Sequence, residues 1–380
     1  MQVYLDGAST TRPYKDVVDV MYDVAYNHWG NPSSNHSLGD DARQIIETVR
    51  NQIAEDINAS PEEIIFTSGA CEANALAIKG FLDKHSGARW WTSRIEHSSI
   101  DKLATRYAPK ALFFSNDNLG FVEIQPIFIE NTRSFKQPWL ASVTAANGEI
   151  GTIQDIKKIS NCIHNLGGVL HTDATQLFAE RRIDVQALGM DMMSVSAQKF
   201  HGPRGSGFLY VKNGIELKPL IYGTQENELR GGTYNTAAIA GMGKALELVR
   251  KHNSSEHVQK LRDRLLSKLT QIDGVRLNGA PAGPSRLKNN ISIVIDGVSA
   301  ERLVAICSLH GIYISKSSAC NSFNPEPSRT LQALQMSNED MFNTVRLTLD
   351  EFNTEEEIDY AADIITKLIA RIRDDEEQME

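Results

Sequence analysis

Two regimes of hydrophobic patterning divide the chain. Up to about residue 250, short apolar runs alternate with amphipathic stretches. The runs EIIFTSG (63–69), ARWWTS (88–93), KALFFS (110–115), PWLASVTA (138–145), GVLHTDA (168–174), MMSVSA (192–197) and SGFLYVK (206–212) read as strands. Between many of them lie helical patterns. The clearest early one places Ala42, Ile45, Ile46, Val49, Ile53 and Ile57 on one face at a period of 3.6. Seven strands with helical crossovers predict an α/β fold around a mainly parallel sheet.

After residue 250 the pattern changes. Val258, Leu261, Leu265, Leu269 and Ile272 mark one face of a long helix. The alternating strands NISIVID (290–296) and TVRLTLD (344–350) flank a helix near 299–310. A last helix opens with the capping box Thr354-Glu-Glu-Glu357 and buries Ile358, Ile365, Leu368 and Ile372. The acidic ending DDEEQME reads as a solvated tail. These elements predict a smaller α+β domain made of 1–14 and 251–380, beside a large domain of 15–250.

Composition narrows the function classes. Apolar residues make 41% and charged residues 23%, as in ordinary globular proteins. A net charge of −9 argues against a broad nucleic-acid-binding face. No apolar run approaches the roughly 20 residues of a membrane span, and the start lacks a signal-peptide pattern. The four cysteines (Cys71, Cys162, Cys307, Cys320) lie far apart with no C-x-x-C. Free thiols in a cytoplasmic protein are expected, and no metal site. Cys162 and Cys307 fall in helical apolar patterns and read as core.

Lys199 raises the chemical question. It follows MDMMSVSAQ, where a strand should end, and precedes a Gly/Pro loop. It could snorkel to water, belong to an S-x-x-K acyl-enzyme with Ser196, or bond covalently to a carbonyl cofactor. The acyl-enzyme reading also needs S-D-N and K-T-G, and neither string occurs. Ligands of such sheets bind at the carboxyl ends of strands. There FTSGACEAN (66–74) offers a helix N-terminus for a phosphate. Asp173 closes an apolar strand, and His97 follows another. Amine, carboxylate, imidazole and phosphate cradle together describe a pyridoxal phosphate site. In such a site the carboxylate keeps the pyridine nitrogen protonated.

At these residues the sequence resembles a known family. YLDGASTTRP (4–13), NPSSNHS (31–37), FTSGACEANALAIKG (66–80), NGEIGTIQD (147–155), HTDATQ (171–176), RGGT (230–233) and SSACNS (317–322) together resemble the cysteine desulfurases. These are pyridoxal phosphate enzymes of fold type I, aminotransferase class V. SSACNS resembles the subgroup with a long cysteine loop. The resemblance implies that Lys199 bonds to the cofactor aldehyde. It pairs Asp173 with the pyridinium, Gln176 with the phenolic oxygen and His97 with the ring face. It gives phosphate-binding positions to Ala70, Cys71, Ser196 and Gln198, and to Thr233 from the second copy of a homodimer. It makes Cys320 the sulfur acceptor and Arg346 the holder of the substrate carboxylate. The alternation in TVRLTLD independently sets Arg346 opposite Val345, Leu347 and Leu349.

Several family positions differ. Cys71 stands for a threonine, Gln198 for a histidine, and Gly148 for a cofactor-contacting asparagine that Asn147 is a candidate to replace. Asn35 stands for an arginine near the substrate carboxylate. Asp350 and Glu351 stand where Gly-Arg is usual. These departures suggest a specialised branch, such as sulfur supply for DNA phosphorothioation, beside the general iron–sulfur role. The implied reaction takes L-cysteine to L-alanine and leaves a persulfide on Cys320 for a protein acceptor. Lys199 moves the Cα proton, and His97 shuttles a second. The alternatives are a class V aminotransferase or selenocysteine lyase, and a non-catalytic sulfur-carrier scaffold.

Overall fold

The computed structural model describes residues 1–378, except 108, 109, 134, 136 and 317–327. All seven apolar runs form strands of one sheet. Across it the order is Ile64–Thr67, Gly207–Val211, Met192–Ser196, Val169–Asp173, Trp139–Ser142, Arg89–Thr92 and Ala111–Phe113. Gly207–Val211 runs antiparallel to both neighbours, and every other pairing is parallel. The runs are continuous because both faces are covered. Met193, Val195 and Phe208 pack into one core, while Met192, Leu209 and Ile65 pack into another. Six strands therefore end on one edge, which collects Thr67, Ser142, Asp173 and Ser196. The predicted helix forms over Ser37–Ile57, with Ala42, Ile46, Val49, Ile53 and Ile57 buried.

A second, antiparallel sheet has the order Val275–Leu277, Asn290–Ile295, Thr344–Thr348, Ser315–Lys316. Its core joins Val345, Leu347 and Leu349 to Leu261, Leu265, Ile358 and Ile365 from the helices Ser255–Leu269 and Glu355–Glu377. The capping box forms: Thr354 Oγ1 accepts from Glu357 N, and Glu357 Oε2 accepts from Thr354 N, each at 3.2 Å. The last helix runs on to Glu377. Residues 374–377 of the acidic ending are thus helical where a tail was expected. The ending holds no Gly or Pro to stop the helix, and Arg302 pairs with Asp375 at 2.5 Å.

The chain start is threaded between the two sheets. Val3–Tyr4 pairs in parallel with Ile312–Tyr313, and Asp6 bridges to Thr348. Val3 and Leu5 enter the second core. Thr11 N donates to Gln198 O at 3.0 Å, which brings the segment Ala8–Thr11 beside Lys199.

Candidate active site

The strand Met192–Ser196 closes in a single 3-10 turn, Ala197–Lys199. Lys199 is half-buried, and its Nζ donates to the carbonyls of Ala8 at 2.5 Å and Ser9 at 2.6 Å. Gln176 Nε2 donates to the same Ala8 carbonyl at 3.2 Å. The amine is held by backbone oxygens, unlike the water-directed head of a snorkelling lysine. Gln198 supplies its carbonyl to Thr11 N.

Asp173 ends the adjacent strand and is buried. Its Oδ1 accepts from Thr175 N at 3.0 Å, and its Oδ2 accepts from Asn74 Nδ2 at 2.8 Å. Asn74, fully buried, also donates to Ser99 Oγ at 3.1 Å. Ser99 Oγ lies 2.9 Å from His97 Nδ1. A continuous polar line therefore joins Asp173 to His97. His97 Nδ1 also accepts from Ser99 N at 3.2 Å, capping the helix Ser98–Arg106. A ring nitrogen that accepts an N–H carries no proton, so the neutral ring holds its proton on Nε2.

The helix Ala70–Lys84 starts at Gly69, whose φ of +144° favours glycine, and no side chain caps it. Its first N–H groups are free to meet an anion. Ser196 stands beside this start, since a Cβ on Gly69 would come 3.4 Å from Ser196 Oγ. Ala70 and Cys71 form the first turn. A hydrogen bond with His97 draws the exposed Cys71 thiol below its usual range, against the opposing effect of burial.

Arg346 lies on the face of its strand opposite the second core, as alternation required. It is buried, and its Nη2 donates to Asp6 Oδ1 and Ser9 Oγ, each at 2.8 Å. Nη1 reaches Gly148 O at 3.4 Å, and Nε is buried without a hydrogen-bond partner. A Cβ at Gly148 would meet the Gln176 amide at 2.7 Å, so a side chain there would require Gln176 to shift. Asn147, a candidate cofactor contact, instead donates to Ile95 O at 2.7 Å and Thr330 Oγ1 at 3.3 Å. Its oxygen accepts from Glu149 N and Ile150 N, so its amide is spent on the turn.

Other expected positions stand apart. Asn35 lines a second cavity of about 650 Å³, which shares no lining residue with the 320 Å³ cavity at Lys199 and Gln176. Thr233 is exposed, in a loop ahead of the helix Thr236–His252. Cys320 lies outside the described residues. Cys307 is buried, and burial pushes its thiol up to about 12; Cys162 is half-buried. Glu351 accepts from His252 Nδ1 at 3.2 Å, so this departure joins the turn after Thr344–Thr348 to the end of the helix Thr236–His252. The sequence reading assigns no role to Asp6, Ala8, Ser9, Asn74 or Glu96. Asp6, Ala8 and Ser9 lie in the quoted YLDGASTTRP and Asn74 ends the quoted FTSGACEAN, whereas Glu96 falls in no quoted motif.

The aminotransferase class-V family profile matches residues 3–361. The chain belongs to the aminotransferase class-V family. Cysteine desulfurase IscS 1 of Archaeoglobus fulgidus is 38% identical over 97% of this chain and 97% of its own length. Among solved structures, a NifS-like protein from Rickettsia africae aligns with a TM-score of 0.87 at 30% identity, covering 98% of this chain and 100% of that one. SspA in complex with cysteine aligns with a TM-score of 0.79 at 29% identity, covering 93% and 100%. Within the family the chain stands with the cysteine desulfurases, enzymes dependent on pyridoxal phosphate. The donor set fits that cofactor: an uncapped helix start, an inward-held amine, a buried carboxylate and an imidazole share one sheet edge. Among the described residues, no helix is long and apolar enough to cross a membrane.

Proposed function

We propose that this chain converts L-cysteine to L-alanine and passes the sulfur, as a persulfide on Cys320, to a protein acceptor in the cytoplasm. The observation that carries the reading is the polar line Asp173–Asn74–Ser99–His97 on the edge that also bears Lys199. Asp173 would hold the proton of the cofactor ring nitrogen, His97 would lie on the ring face, and Gln176 would meet the phenolic oxygen. Ala70, Cys71, Ser196 and Gln198 would serve the phosphate. When bound, the cofactor supplies the electron sink that lets the substrate Cα proton leave. Lys199 takes that proton as a free amine. Arg346 holds the substrate carboxylate, using the edge that carries its unpartnered Nε. The Cys320 thiolate then takes the substrate sulfur. An S–S bond forms, the C–S bond breaks, and the electron pair left on carbon is protonated to give alanine, with His97 Nε2 moving a proton. The solved complex of SspA with cysteine supports the choice of substrate.

The active unit is a homodimer of two-domain subunits, with Thr233 reaching the other copy's phosphate site. The helix Lys15–Asn27 buries Val17 and Val24 but leaves Val18, Tyr22 and Tyr26 exposed, with Trp29, Ile221 and Tyr222 also outside. An apolar face of this kind favours a second copy. One core draws on residues 14–287 and another on Val3, Leu5 and 258–372, which supports domains of 15–250 and 1–14 with 251–380. The acceptor's pathway, DNA phosphorothioation or iron–sulfur assembly, is read from the partners that Cys320→Ser retains in a pull-down. The function itself is tested with Lys199→Ala. This variant should release no alanine from cysteine and should show no covalent link between protein and cofactor after borohydride reduction. Full turnover would overturn the reading. Lys199→Arg should fail as well, because a guanidinium is no amine nucleophile.

A further inference from the structure

One buried acid beside the site has no part in the reaction above. Glu96 directly precedes His97 and is 9% exposed. Its Oε1 accepts from Ser93 Oγ at 2.5 Å and from Thr144 N at 2.9 Å. Its Oε2 is buried with no hydrogen-bond partner. Thr144 in turn donates Oγ1 to the carbonyl of Asp173 at 3.3 Å. Glu96 therefore ties together the residues that follow three parallel strands: the turn leading to His97, the segment at Thr144 and the end at Asp173. Ile95 O, held by Asn147, fixes the same turn from its other side.

Burial pushes Glu96 up to about 8, and Asp173 adds to the rise, against hydrogen bonds from Ser93 and Thr144. The titratable and charged groups around it are few. Asp173 lies beyond Thr144. His171, on the same strand as Asp173, sits between Ser142 Oγ and Ser194 Oγ and is pushed down to about 4 by burial. Arg94 stacks on Phe113, and His97 is turned to Ser99. Among the described residues no cation pairs with Glu96.

We propose that Glu96 is a positioning residue for the desulfurase reaction, setting His97 against the Asp173 strand end through Thr144. The inference rests on the reading of His97 and Asp173 as cofactor contacts. It is tested on the apoprotein, by titration with pyridoxal phosphate followed by the protein's fluorescence. His97→Ala should weaken binding roughly tenfold, the scale of one lost aromatic contact. Glu96→Ala should weaken it about three- to tenfold alone and add nothing in the double variant, because both act through one group. Glu96→Gln keeps the accepting oxygen and should stay within about twofold of the native affinity.

A second readout is the melting temperature against pH. Between about 4.5 and about 8, native Glu96 keeps a proton that the unfolded chain has lost. Its contribution to stability therefore falls as pH rises through that window. Glu96→Gln should remove this fall, so its melting temperature relative to native should climb with pH. Native affinity in Glu96→Ala, additive losses in the double variant, or matching pH profiles would each overturn the proposal. Glu96→Gln binding as weakly as Glu96→Ala would overturn it too. If Glu96→Ala does not fold, Glu96→Asp, too short to reach Thr144, takes its place. Native affinity in His97→Ala would instead sink the underlying reading of His97.

Discussion

Arg346 and Asp6 form a 2.8 Å ion pair across 340 residues of chain. The pair is made possible by the chain start lying on the second sheet, where Asp6 bridges to Thr348. It holds the guanidinium in place before any substrate arrives, with Ser9 on the same nitrogen. Nε has no hydrogen-bond partner, and under the proposed reaction it would meet the substrate carboxylate. Preorganisation of this kind lowers the ordering cost of binding.

Arg346→Ala should therefore act on binding. Loss of a charged hydrogen bond is worth about 1.5–3 kcal/mol, which corresponds to cysteine binding weakened roughly ten- to a hundredfold. The measurement is KM against kcat, with KM taking most of the change. Arg346→Lys should recover little, because a single ammonium cannot span Asp6, Ser9 and a carboxylate. An unchanged KM in Arg346→Ala would remove this residue from the substrate site.

Asp173 and Asn74 make a second dependent pair. Asp173→Asn should keep the fold and some cofactor but lose most of kcat, since a neutral amide cannot hold a proton on the ring nitrogen. Asn74→Ala should be milder. It removes one hydrogen bond to a charged group and breaks the line to His97, at about 1.5–3 kcal/mol. Alanine release under saturating cysteine checks both. Asp173→Asn at native kcat would refute the assignment.

The fold was largely legible because its signals are local. Seven apolar runs and the helix faces follow from periods of two and 3.6, and all seven strands lie where the runs do. The site was legible only where motifs carry it. Ala8, Ser9 and Asp6 meet Lys199 and Arg346 through long-range pairing, which no spacing encodes. Asn147 shows the same limit of local reading. Its neighbour Gly148 suggested a replacement contact, but the amide is used up by Ile95 and Thr330 in space. Ile272 continued a helical pattern past the point where the helix stops at Leu269.

His171 gives a pH dependence of opposite sign to that of Glu96. Burial between two serines pushes it down to about 4, with Asp173 opposing. The unfolded chain takes a proton near its ordinary value while the native ring stays neutral. Stability should thus fall as pH drops from about 6.5 toward about 4, by at most about 1.4 kcal/mol per pH unit. His171→Asn should flatten that part of the curve. Thermal melting of both proteins from neutral to acid pH is the measurement. Parallel curves would mean that this histidine is not held neutral.

Cys320 divides the reaction in two. Removal of its sulfur should leave cofactor binding intact, because the amine, the carboxylate and the helix start all lie on the large sheet. The early steps should also survive, since proton abstraction needs Lys199 and no thiol. Cys320→Ser should therefore bind cysteine and change the visible absorbance of the bound cofactor. It should then stall, because a hydroxyl is a poor acceptor for sulfur. Arg346→Ala should differ, changing the absorbance only at high cysteine. The measurement is a cysteine titration of both variants, followed by absorbance and by alanine release. Alanine made at the native rate by Cys320→Ser would replace the desulfurase mechanism with that of a lyase or aminotransferase, in which this cysteine plays no part.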